Sequence, residues 1–114
     1  MNHEKLRCYQ ELLDAAKSVP ALIDTLPRGY HDLVDQLQRA LTSAILNLSE
    51  GNARTSKKER ARFFDISLAS LAESAAALDI MRAFRLISLE RCDALKSKFR
   101  IAYAMIVRLK KPRQ

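Results

Sequence analysis

The chain has 114 residues and 12.9 kDa, 48% of them hydrophobic and 29% charged, with only two Gly, three Pro and no Trp. One domain spanning residues 1–114 is expected, and so little Gly and Pro argues against a loop-rich sandwich or a disordered tail. Twenty Lys and Arg against 13 Asp and Glu give a net charge of +7 and a pI near 9.8, which point to an anionic partner, nucleic acid or a membrane surface.

From His3 to about residue 25, Leu6, Tyr9, Leu13 and Ala16 recur at helical spacing, with Arg7, Gln10, Asp14 and Lys17 on the other side. This predicts a first amphipathic helix over 3–25, kinked at Pro20, whose missing N–H cannot reach the carbonyl of Ala16. Pro27, Arg28 and Gly29 form a turn. A second helix is predicted over 30–52, with Leu33, Leu37, Ala40, Leu41, Ala44 and Leu48 on one face. Beside them runs a polar stripe of Gln36, Arg39, Ser43, Asn47 and Glu50. Gly51 is placed to stop this helix in a left-handed conformation, and Ser56-Lys57-Lys58-Glu59 reads as a capping box opening the next.

The third helix is predicted over 57–86, about 45 Å at 1.5 Å per residue. One apolar row reads Phe63, Ile66, Ser67, Ser70, Ala77, Met81, Phe84; a second, about 100° round the helix, reads Phe64, Leu68, Leu71, Ala75, Leu78. Two such rows suggest two sets of neighbours, one within the bundle and one on another subunit, the alternative being one wide core face. Ser88 caps a fourth helix over 89–110, with Ile87 and Cys92 closing a hydrophobic staple. Its stripe is Cys92, Leu95, Phe99, Ala102, Tyr103, Ile106 and Leu109, and Pro112 marks its exit. With no strand pattern, the expected fold is all-α, an up-down-up-down antiparallel four-helix bundle.

Alternating helices collect charge at one end. Residues 1–53 hold five basic and seven acidic side chains, whereas residues 54–114 hold 15 and six. The start of the first helix, the turn between the second and third, and the C-terminus all meet at that end. Arg54, Lys57, Lys58, Arg60, Arg62, Arg108, Lys110, Lys111 and Arg113 are the candidate nucleic-acid contacts there, joined by Lys5 and Arg7. With no aromatic interleaved for base stacking, backbone-directed, salt-sensitive binding is expected rather than base readout.

Catalysis finds little support. The two histidines, His3 and His31, have no nucleophile and orienting acid nearby, and neither a zinc ligand set nor an inward di-iron carboxylate set nor a glycine-rich phosphate loop occurs. No metal or cofactor is expected. Glu50 and Glu73 are the acids placed close to buried surface, with Arg39 within reach of Glu73. Cys8 and Cys92 are isolated and fall on apolar faces, so both are read as small buried hydrophobes. The N-terminus shows no apolar signal core, which with these thiols makes the cytoplasm the expected compartment. The longest stretch free of charge, Ala40–Ser49 without Arg39, is ten residues, too short for a membrane span.

The stretch from Gln36 to Glu73 carries a family resemblance. Gln36-Leu37-Gln38-Arg39-Ala40, Ser43, the block Asn47-Leu48-Ser49-Glu50-Gly51, then Arg54, Ser56, Lys58, Glu59, Arg62, Phe63, Ile66 and Ser70-Leu71-Ala72-Glu73 resemble a bacterial family of four-helix bundle proteins. That family includes the rRNA intervening-sequence protein and the accessory variability determinant (Avd) of diversity-generating retroelements. Ile45 stands where a proline is usual, Ala53 and Ala69 where glycines are, Ser49 for alanine and Arg60 for an aromatic. The resemblance implies a homopentamer without catalytic activity. For Avd-type members it also implies binding of RNA or DNA and of a reverse transcriptase. Gln36, Arg39, Ser43, Asn47, Glu50, Gly51, Ser70 and Glu73 are assigned to holding the bundle or its interfaces together. The rival reading is a protein-docking scaffold with no direct nucleic-acid role.

Overall fold

The computed structural model describes residues 3–111, which form α1 (His3–Lys17), α2 (Val19–Asp24), α3 (His31–Ala53), α4 (Lys57–Ala83) and α5 (Leu89–Lys110). Pro112 and Arg113 lie outside them. The fold is all-α, a four-helix bundle of 48 × 22 × 19 Å in which α1 and α2 together make one leg. α4 packs most extensively on α3 and then on α5, and α1 closes the ring against α5 and α3.

The break in the first leg falls at Ser18, two residues ahead of the kink expected at Pro20. The Ser18 N–H and hydroxyl both donate to the Ala15 carbonyl, at 3.2 and 2.7 Å, which tightens the last turn of α1. Pro20 then occupies the first turn of α2, where a missing N–H costs nothing. Gly29 turns the chain toward α3 with φ +100°, a conformation that favours glycine. At the starts of α4 and α5, Ser56 accepts from the Glu59 N–H at 3.3 Å and Ser88 from the Arg91 N–H at 3.1 Å.

Gly51 does not stop α3. It lies inside the helix and is buried, and Arg54 in extended backbone ends the element instead. The glycine is required for a different reason: a Cβ built on it would lie 2.5 Å from Phe64 Cε1, so the ring occupies the space a side chain would need. α4 also ends three residues earlier than its apolar pattern suggests. Arg85 takes a left-handed φ of 60°, and the Arg85 and Leu86 N–H groups donate to the carbonyls of Arg82 and Met81 at 2.9 and 2.8 Å. These paired bonds satisfy the last carbonyls without glycine.

Both apolar rows of α4 are covered within one chain. Ser67, Ser70, Ala77 and Met81 of the first and Phe64, Leu68, Leu71 and Leu78 of the second are all buried, so they form one wide core face and the second row needs no other subunit. Ile66 and Phe84 alone remain exposed in the first row. The rest of the core includes Leu12, Leu37, Leu48, Phe99 and Ile106. Cys8 and Cys92 are free and buried in it, their thiols donating to the carbonyls of Ala102 and Leu78. Burial, aided by Glu11, pushes the Cys8 thiol up to about 12, so its nucleophilic thiolate is suppressed at neutral pH.

Glycine to alanine in an open helix stabilises by about 0.5–1 kcal/mol. At position 51 the sign should reverse. Gly51→Ala should lose roughly 1–3 kcal/mol in urea unfolding as Phe64 is displaced, and a stabilised variant would show that the ring yields without cost.

Candidate nucleic-acid interface

The residues around the α3–α4 turn owe their positions to the seam between the two helices. Ser43 and Ser70 face each other with hydroxyl oxygens 2.7 Å apart, and Asn47 Nδ2 donates to the Ser43 carbonyl at 2.8 Å and to its hydroxyl at 3.2 Å. Gln36 donates to the Glu73 carboxylate. Deeper in the seam, Ser67 donates to the Ala44 carbonyl at 2.7 Å. Only a small side chain lets a hydroxyl reach the neighbouring backbone. Ser67, which the sequence places only in an apolar row, and the equally buried Ser74, which donates to the Ser70 carbonyl at 2.9 Å, carry polar roles that the pattern does not reveal. Their signal is a pair of serines seven residues apart, two helical turns, beside apolar positions of α4.

Two expected roles are corrected. Arg39 pairs with Asp35 on its own helix at 3.0 Å rather than with Glu73, whose carboxylate accepts from Gln36. Glu50 and Glu73 are exposed rather than set against buried surface; Glu50 accepts from Arg54 at 2.8 Å across the end of α3. Gln36, Ser43, Gly51, Ser70 and Glu73 therefore make contacts between α3 and α4, whereas Arg39, Asn47 and Glu50 make contacts local to α3 or its end, Asn47 by holding Ser43 in place for Ser70.

At the turn end, the helices bring the predicted cations together. Lys5 of α1 donates to the Asn52 carbonyl of α3 at 3.3 Å, and Lys110 near the end of α5 pairs with Asp65 of α4 at 2.6 Å. Lys57, Lys58, Arg108 and Lys111 are exposed and form no ion pair with a described residue. Arg60 is half-buried, its guanidinium carbon 6.0 Å from the centre of the Phe64 ring. Half-buried against that ring, it is the least available of these cations.

An aromatic does lie among the cations, contrary to expectation. The guanidinium carbons of Arg54 and Arg62 stand over the half-buried Phe63 ring, 5.1 and 4.7 Å from its centre. Glu50 holds Arg54, and Glu59 holds Arg62 at 3.2 Å. Sequence inspection missed this because Phe63 belongs to the apolar row, whereas Arg54 reaches it only after the chain has turned between the helices.

Among the described residues, no group of three or more His, Cys, Asp or Glu side chains is placed to hold a metal ion, and no helix is long and apolar enough to cross a membrane. The model of a protein family described as 23S rRNA-intervening sequence protein matches residues 4–108. Among solved structures, the chain is similar to a protein of unknown function from the S23 ribosomal protein family of Bacteroides thetaiotaomicron, with a TM-score of 0.86 and 16% identity over 96% of this chain and 99% of that chain. Identity that low establishes a shared fold alone. None of the curated proteins matches.

The Ser43–Ser70 pair offers a direct measure of the seam. A double-mutant cycle through Ser43→Ala and Ser70→Ala, read by urea unfolding, should give a coupling of about 0.5–1.5 kcal/mol. Additive losses would show that the two hydroxyls act independently.

Proposed function

The chain belongs to the 23S rRNA-intervening sequence protein family, a family not known to be catalytic, and from that premise we propose a non-enzymatic accessory protein that holds RNA or DNA on its basic end. The observation that carries this reading is the exposed set Lys57, Lys58, Arg108 and Lys111, cations without an acidic partner among the described residues. Arg54, Arg62 and Lys110 flank them, each tied to a single carboxylate. Among the described residues, the helix ends and turn assigned to this end carry ten cations, Lys5, Arg7, Arg54, Lys57, Lys58, Arg60, Arg62, Arg108, Lys110 and Lys111, against five acids, Glu4, Glu11, Glu50, Glu59 and Asp65. The amino-terminal end of the 27-residue α4 adds its positive dipole. A polyphosphate backbone matches such a surface because each contact releases counterions.

A homopentamer belongs to the same proposal. It is supported by large apolar side chains left exposed, among them Leu46 of α3 at 61%, Ile80 of α4 at 43% and Phe84 just past α4 at 59%. Large side chains left in water suit contact with another copy. Such an assembly would set several basic ends close together, and an anion bridging them would relieve their repulsion. A reverse transcriptase as partner, and the cytoplasm as compartment, rest on the likeness to Avd-type proteins and on the isolated thiols.

Binding to structured RNA, followed by fluorescence anisotropy across a salt series, tests the contact. Affinity should fall steeply with salt, and replacing Lys57, Lys58, Arg108 and Lys111 together by Ala should lower the slope of log K against log salt by up to about 3–4. Salt-independent affinity, or an unchanged slope, would favour the docking-scaffold reading instead.

A further inference from the structure

We infer that the turn end of the bundle takes an unpaired nucleobase, with the Arg54–Phe63–Arg62 cluster as its stacking platform; this rests on the nucleic-acid reading above and names the substrate class as single-stranded nucleic acid. The geometry sets these arginines apart from the neighbouring lysines. Each guanidinium stands over the Phe63 ring and is also held by one carboxylate, Glu50 for Arg54 and Glu59 for Arg62. An ion-paired arginine adds little long-range charge, so attraction of phosphate falls to Lys57 and Lys58. What the pairing supplies is fixed orientation.

The arginine side chains remain accessible, Arg54 at 48% and Arg62 at 63%, so neither the ring nor the acids enclose them. A guanidinium has five N–H donors, and the ion pair at Arg54 engages Nη2 and that at Arg62 engages Nε. Each retains donors for the edge of a base and a planar cation for its face. Guanidinium planes and aromatic rings are the surfaces on which unstacked bases settle, whereas in a duplex the base faces are occupied by their neighbours. The exposed Lys57 and Lys58 begin α4, five and four residues before Arg62. One strand can thus lay its phosphates on the lysines and a base on the arginine–phenylalanine cluster.

Two probes of the full-length protein separate stacking from charge: a fluorescent single-stranded oligouridylate, and inorganic polyphosphate of matched length as its competitor. Phe63→Leu should weaken oligouridylate binding roughly ten-fold while leaving polyphosphate affinity and the salt slope unchanged. Arg62→Lys conserves charge at an exposed position and should act in the same direction, so the result does not depend on how well Phe63→Leu folds. Equal losses for both probes, or no loss for either, would overturn the stacking platform and leave the basic-end reading intact. Failure of the unaltered protein to bind either probe would overturn both.

Discussion

The structure depends on how closely α3 and α4 approach each other. A Ser67 hydroxyl 2.7 Å from the Ala44 carbonyl, and a Phe64 ring filling the space a Cβ on Gly51 would need, require small residues on the two facing surfaces. Close packing leaves only residues 54–56 to connect the helices. The short connection in turn carries Arg54 back over Phe63 and presents Lys57 and Lys58 at the start of α4. Seam and basic end are thus consecutive results of one packing arrangement.

The cations at that end differ in what surrounds them. Arg60 lies half-buried against Phe64, Arg54 and Arg62 are held by a ring and an acid each, and Lys57 and Lys58 are exposed without an acidic partner among the described residues. Net charge treats these residues alike. Burial, pairing and planarity divide them into a packing residue, two orienting residues and two phosphate-seeking ones.

Much of the fold was legible because helical period and capping chemistry are local. Ser56 and Ser88 cap as their spacing implies, and the starts of α4 and α5 fall at the expected residues. The misses have tertiary causes. Gly51 followed by Asn52 has the composition of a helix stop, yet its role is set by Phe64, thirteen residues away on another helix. The two rows of α4 suggest an external partner because the pattern gives their angular separation but not how far α3 and α5 wrap around them. Helix register brings Arg39 within reach of Glu73, but Asp35, one turn back on α3, holds Arg39 and Gln36 takes Glu73. The set of basic residues was readable from sequence and topology; the Phe63 cluster required side-chain positions.

The account stands or falls on where nucleic acid touches the bundle. Amide chemical-shift mapping during titration with a single-stranded oligonucleotide measures this directly. Perturbations should concentrate in residues 54–63 and 108–111 and spare the α4–α5 turn around residues 84–88. Shifts centred on that opposite end, or spread along the outer faces of α3 and α4, would contradict it.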